Sequence, residues 1–350
     1  MEENSYNFIS KFLHKISLGS KAVSEMSFDI EKAIYLKKTK HNVAENHLFI
    51  SGLARSGTTA FMNLLYETNQ FSSLTYEDMP FILAPSFGGK FSKRRTGEEL
   101  KKKERSHKDG ILINNESPEA LDEVFWKVFL DNTYIQKDCL VLHEIGLENK
   151  TRYSQYIDLI ILKHSKKAGN RYLSKNNNSI LRLSSLLQNF PKATVVIPFR
   201  NPLQHALSLL NQHQHFCKLQ TENPFTLKYM NWIGHHEFGL NQKPFYLGND
   251  SVFDQLLETS KEDINYWLLT WLNYYTYVSE HFMDSCVLFS YEKFCEERTN
   301  YLQKISKKIG LHETQFELKS FPSKERKCDV VDEDLLRKCT EIYEKLNHHC

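Results

Sequence analysis

Gly52-Leu53-Ala54-Arg55-Ser56-Gly57-Thr58-Thr59 is the stretch of this chain richest in chemistry. It follows a short apolar run, His47–Ile50, and leads into Phe61, Leu64 and Leu65 at helical spacing. Its glycines have the spacing of the phosphate-binding pattern GxxxxGK(S/T). In that pattern loop amides point at a phosphate and a helix N-terminus adds positive potential. Thr58 stands where the triphosphate-neutralising lysine would be. The β-branched run Ala193–Ile197 leads to Pro198, Phe199 and Arg200, not to the acid that would hold magnesium. The loop therefore predicts a phosphate-bearing ligand with less charge near its reacting end than a magnesium triphosphate. A ligand-free glycine turn is the alternative, and Arg55, Ser56, Thr58 and Thr59 together argue against it.

Other reactive residue types form weaker patterns. His213 and His215 look like a metal pair, but positions i and i+2 of a helix point apart, so they are read as non-ligands. His215 shares a helical face with Ser208 and Asn211 and so could approach a ligand. His235-His236-Glu237 has no partner at convincing spacing. The seven cysteines are odd in number and contain no CxxC pair, which predicts reduced thiols and neither a disulfide framework nor a zinc site. Trp267, Trp271, Tyr266, Tyr274 and Tyr277 are expected to pack as a core helix face rather than as a stacking box.

These residues need elements to position them. Short stretches at 47–50, 71–77, 171–174, 193–197 and 287–289 read as strands. Between and after them lie helical stretches at 118–130, 151–168, 179–189, from 202 through 210, 261–282, 292–309 and 332–348. The 118–130 helix would be capped by Ser117, with Pro118 in its first turn. Alternating strands and helices predict βαβ units and a mainly parallel sheet. Residues 42–310 read as one α/β domain with helical insertions at about 86–170 and 219–262. Residues 1–41 form a helical arm whose apolar face, Phe8, Ile9, Phe12, Leu13 and Ile16, is expected to pack on the main domain. A membrane-surface helix is the alternative, and its cationic charge is weak. The polar, basic 86–110 stretch reads as a solvated loop, the alternative being a lid over an anionic ligand.

Composition narrows the function classes. Lys and Arg number 45 against 43 Asp and Glu, a net charge of +2 that argues against a nucleic-acid-coating protein. Hydrophobic residues make up 41%, enough for a large core and against wholesale disorder. No apolar run approaches the ~20 residues of a membrane span. The acidic, polar Met1-Glu2-Glu3-Asn4 start predicts no signal peptide, hence a cytoplasmic location.

Gly52-x-x-Arg55-Ser56-Gly57-Thr58-Thr59 resembles the 5′-phosphosulfate loop of sulfotransferases that use 3′-phosphoadenylyl sulfate (PAPS). Phe199-Arg200-Asn201-Pro202, with Ser208 eight residues after the arginine, is similar to that family's 3′-phosphate motif. The physics agrees: Arg200 leaves the carboxyl end of a parallel strand, where open α/β sheets bind ligands, and a guanidinium clamps phosphate bidentately. Ser208, two helical turns on, faces the same side. Leu173-Ser174-Lys175-Asn176 and Asn189-Phe190-Pro191-Lys192-Ala193 resemble a stretch of many bacterial-type members. The likeness spans roughly residues 47–210. Phe321-Pro322-Ser323-Lys324 is similar to the Ser-Lys loop of the tyrosylprotein branch, a plain charged loop being the alternative.

The resemblance implies a P-loop NTPase-like three-layer α/β fold, with residues 311–350 completing the cofactor site. It implies transfer of a sulfuryl group from PAPS to a hydroxyl or amine of a small-molecule or glycan acceptor, giving adenosine 3′,5′-bisphosphate (PAP), with no metal required. Ser56, Gly57, Thr58, Thr59, Arg200, Ser208, Ser323 and Lys324 become cofactor contacts. Arg55 becomes both a contact and the cation at the leaving group, and Lys175 the cation at the sulfuryl group. Cytosolic members place a histidine base two residues after that lysine, where this chain has Asn177. Tyrosylprotein and glycan-type members use a glutamate after the loop helix, and Glu77 matches it, with Asp78 as the alternative. Glu116, Glu119 and Glu123 are acceptor-site candidates, with helix capping as the favoured role. The competing functions are a P-loop kinase or ATPase and a non-catalytic nucleotide-binding module.

Overall fold

The computed structural model describes residues 8–36, 45–92, 103–104, 112–164, 169–312, 316 and 331–350. Its centre is a sheet of β1 (Leu48–Ile50), β2 (Phe71–Ser72), β3 (Arg171–Lys175), β4 (Thr194–Phe199) and β5 (Val287–Ser290). The spatial order is β2-β3-β1-β4-β5 and every pairing is parallel. β1 and β4 are buried almost throughout and need no polar alternation, which is why they read as short apolar runs.

The helices that matter below are α1 (Phe8–Gly19), α2 (Lys21–Tyr35), α3 (Thr58–Tyr66), α4 (Glu123–Phe129), α5 (Leu147–His164), α6 (Pro202–Glu222), α7 (Pro224–Trp232), α8 (Ile264–His281) and α9 (Glu333–His349). α3 and α5 pack on β3, α8 on α6 and α9, and α9 also on β5. Of the aromatic residues expected to pack from α8, Tyr266, Trp267, Trp271 and Tyr274 are buried in the core, whereas Tyr277 is only half-buried. One continuous core runs from Leu18 and Phe28 to Cys350. This mixed α/β architecture around a parallel sheet is the fold expected from the sequence. Among the described residues no helix is long and apolar enough to cross a membrane.

Several elements differ from the sequence reading. The strand expected over 71–77 ends at Ser72, and Tyr76–Asp78 is a single 3-10 turn. The helix expected from Pro118 starts at Glu123. Ser117 bonds to Asn114 and caps nothing, and Pro118 bridges to Thr75 as an extended residue. The residues ahead of α4 are therefore tied to the loop after β2, and that tertiary pairing overrides the capping signal.

The arm is also turned. Ile9 and Phe12 are 66% and 53% exposed, whereas Ser10, His14 and Ser17 are buried. The inward polar groups bond carbonyls of the arm itself: His14 Nδ1 meets Ser10 O at 2.7 Å and Ser17 Oγ donates to Leu13 O at 2.8 Å. With its Nδ1 so bonded, His14 is buried against α7, where it meets the Tyr229 ring. Phe28 of α2 packs inward on Phe125, Phe129 and Tyr156. Of the 86–110 stretch the structure describes its first residues, to Ser92, and Lys103–Glu104, which pairs with Leu112–Ile113.

Candidate functional site

The strand registers bring the candidate residues to one edge of the sheet. Ile50, the last residue of β1, pairs with Lys175 of β3 and Val196 of β4. The chain then leaves the sheet between them: Ser51 N donates to Val196 O and Asn176 N to Ile50 O, both at 3.0 Å. The 52–57 loop, Lys175 and Arg200 thus share the carboxyl edge, where parallel α/β sheets place ligands.

The loop is held in a tight and strained shape. Arg55 has φ 72° and Gly57 φ 93°, both in the left-handed region. Gly57 belongs there, but an arginine does so at a cost, typical of backbone constrained for function. A Cβ on Gly57 would lie 2.8 Å from Tyr291 Cδ2, and one on Gly52 would lie 3.1 Å from Pro198 O. Ser56 is fully buried, and its N–H and hydroxyl both donate to Leu53 O, so its side chain closes the loop. Thr58 and Thr59, buried, open α3, whose N-terminus has no side-chain cap because Gly57 has none to give. Below the loop, His205 Nε2 donates to Ala54 O at 2.8 Å. Burial above all, with Arg200 and Arg55 nearby, pushes the His205 pKa down to about 3, so the ring is a neutral donor.

The loop and the second motif meet directly: Arg55 Nε donates to Ser208 Oγ at 3.3 Å, across 153 residues of sequence. Pro202 opens α6, and Asn201 caps it by accepting the Gln204 N–H. Asn201 N donates to Glu292 Oε1 at 2.9 Å, and Arg200 O accepts the Trp271 indole N–H. The Arg200 guanidinium lies 4.7 Å from the centre of the Tyr291 ring, and its buried Nε has no hydrogen-bond partner. An arginine shelved on an aromatic ring with a spare buried donor fits an anionic ligand, as does a glycine loop at an uncapped helix start.

Lys175 is buried at the end of β3. Glu77 lies half-buried in the turn beyond β2, the strand that neighbours β3, with its N–H on Asn115 O. Its neighbour Asp78 is fully buried and engaged by Lys163 and by the Thr75 N–H, a structural post. The acid candidates of the 116–123 segment divide similarly. Glu123 takes both Arg182 nitrogens at 2.8 and 2.9 Å and the Asn176 amide at 2.7 Å, all in the core. Glu119 accepts the Tyr76 hydroxyl. Ser323 and Lys324 lie outside the described residues.

Two arrangements were not visible in the sequence. Glu237 accepts the Asn177 amide at 2.8 Å. Burial raises its pKa, but His235, Lys175 and Asn177 outweigh this and hold it below the ordinary carboxylate value. No linear spacing links Glu237 to Lys175. His213 pairs not with His215 but with Cys217, one turn on, and the two come within 4.8 Å of a Glu262 oxygen. His213 Nδ1 accepts the Gly239 N–H, which leaves the proton on Nε2 facing Cys217 Sγ at 3.4 Å. In that tautomer Nε2 has no lone pair to offer a metal.

The model of the family described as "Sulfotransferase family" matches residues 47–236. Among solved structures, sulfotransferase STF1 of Mycobacterium tuberculosis is similar at 13% identity and TM-score 0.48, over 99% of this chain and 88% of that one. STF9 of Mycobacterium avium gives 12% and 0.48, over 99% and 79%. A sulfotransferase of Alicyclobacillus acidocaldarius gives 13% and 0.38, over 88% and 94%. No curated protein sequence matches the chain.

Proposed function

Because the chain belongs to the sulfotransferase family, we propose that it carries a sulfuryl group from PAPS to a hydroxyl, or an amine, of a small-molecule or glycan acceptor and releases PAP. The observation that carries the choice of donor is the contact of Arg55 with Ser208. It joins a loop suited to one phosphate to the helix that follows Arg200, a strand-end arginine suited to another, as a ligand with phosphates at both ends of an adenosine requires.

When bound, PAPS supplies an activated sulfuryl group. Its sulfur–oxygen bond to the 5′-phosphate breaks as a bond to the acceptor oxygen forms, and the electron pair leaves on the phosphate. Such a transfer asks the protein mainly for positioning and charge balance. In this reading Gly57, Thr58 and Thr59 present the loop and the α3 N-terminus to the 5′-phosphate, with Ser56 setting the loop shape. Arg55 balances charge on the leaving oxygen. Lys175, one strand away, stands at the sulfuryl oxygens. Arg200 and Ser208 hold the 3′-phosphate, with Ser323 and Lys324 as further contacts. Glu77 takes the acceptor proton, since Asp78 is committed to Lys163 and Thr75.

The test is a thermal shift of the full chain with PAP beside magnesium ATP. A ligand that binds only the folded state stabilises it by about 2.7 kcal/mol at a hundred times its Kd. A shift with PAP that Arg200→Ala abolishes is expected. A shift with magnesium ATP alone would replace this reading with a kinase or ATPase, and no shift with either would leave a non-catalytic module.

A further inference from the structure

A small cleft beside the loop has Leu53, Ala54, Asn177, Asn178, Leu209 and Glu237 among its lining residues. Asn177 and Asn178 are only 5% and 2% exposed. Their orientations are fixed. Asn177 Nδ2 donates to Glu237 Oε1, and Asn178 Nδ2 donates to Gly234 O at 3.1 Å. A flip of either amide would set oxygen against oxygen. Both side-chain carbonyl oxygens are thereby left buried at the cleft with no partner in the protein. Burying a carbonyl without a donor is costly, so two consecutive residues doing so beside a cleft mark a place where a ligand brings the donors. Asn176 Oδ1 accepts the Asn178 N–H and holds the pair in one turn, directly after Lys175.

The charge around the cleft selects among donors. An ammonium group would meet Lys243 in the lining, and Glu237 already has His235 and Lys175 acting on it. Neutral hydroxyls meet no such opposition, and two neighbouring hydroxyls match two neighbouring carbonyls. We propose that Asn177 and Asn178 form the acceptor-recognition subsite and that the acceptor is a neutral molecule with adjacent hydroxyls, a sugar or polyol. This rests on the sulfotransferase reading and names the substrate class of the same site.

The test offers labelled PAPS and acceptors matched in skeleton to the full chain: myo-inositol against cyclohexanol and cyclohexylamine, and methyl glucoside against tetrahydropyran-2-methanol. The PAP thermal shift is measured on the same preparation. The hydroxyl-rich member of each set is expected to show a kcat/KM at least about 100-fold higher, roughly tenfold for each carbonyl otherwise left without a donor. Asn178→Leu is expected to reduce that ratio about tenfold with the PAP shift intact, and if it does not fold the ratio in the parent decides. Preference for the single alcohol or the amine, or no transfer to any member while PAP binds, overturns the proposal. Absence of a PAP shift removes the sulfotransferase reading itself and the acceptor class with it.

Discussion

Arg200→Met separates a ligand-binding arginine from a structural one. In the free protein the guanidinium stacks on Tyr291, worth about 0.5–2 kcal/mol. Against that, its Nε is a buried donor without a partner, which costs about 1–3 kcal/mol. Methionine keeps an unbranched stem on the ring and discards both contributions. The two offset, so unfolding free energy in urea is expected to stay within about 1 kcal/mol of the parent. Binding responds differently. Two charge-assisted hydrogen bonds to a phosphate contribute about 3–6 kcal/mol, which at 1.4 kcal/mol per tenfold is roughly 10² to 10⁴ in Kd. Isothermal titration with PAP measures the second quantity on the same samples. A variant that loses about 3 kcal/mol of stability and binds PAP within about threefold of the parent would refute the assignment and make Arg200 a brace between β4 and Tyr291.

Other variants test other parts of the site. Gly57→Ala forces a left-handed alanine into the Tyr291 ring, and a loss of about 2–5 kcal/mol in urea unfolding is expected, partly restored by adding Tyr291→Ala. His205 has a folded pKa depressed below its unfolded value, so its contribution is full above about 6.5 and is lost as pH falls toward about 3. Denaturation between pH 6.5 and 5 should therefore show a slope that His205→Gln reduces by about 1.4 kcal/mol per pH unit. Glu77→Gln is expected to lower kcat about 10²- to 10⁴-fold with stability unchanged, whereas Asp78→Asn weakens the bonds from half-buried Lys163 and the Thr75 N–H and costs about 1–3 kcal/mol of stability. Equal rates for Glu77→Gln and the parent would remove Glu77 from the chemistry.

What could be read in advance was local. The loop and the Arg200 motif each lie within a dozen residues, and their glycine, proline and arginine have strong backbone or charge requirements. Their meeting in space follows from the strand order, which the alternation of elements suggests but does not specify. Glu237 was out of reach because its partners, Asn177 and Lys175, lie some sixty residues away and no periodicity relates them. Tyr291 was hidden for the same reason: its position depends on β5 pairing with β4 beside the loop. The arm failed differently. Its apolar stripe is real, but His14 and Ser17 bond carbonyls of their own helix and are buried, with Ser10, in its place. Pattern alone does not price that option.

The distribution of charge explains how the loop does without its lysine. A triphosphate loop concentrates a cation on one pair of phosphates, at the residue where this chain has Thr58. Here the cations come from three strands: Arg55 after β1, Lys175 at the end of β3 and Arg200 after β4. That spread suits a ligand whose charge is divided between two ends of a nucleoside, with a transferable group at one of them. His205, packed under the loop, is kept neutral chiefly by burial, with Arg200 and Arg55 adding to it. Protonated, it would add a fourth charge at a point where no phosphate is proposed to sit. Neutral, it pins Ala54 and thereby the left-handed Arg55, whose Nε reaches Ser208 only from that conformation of the loop. Loop shape and charge placement are thus one device, and a change that frees the loop should weaken both ends of the nucleotide together.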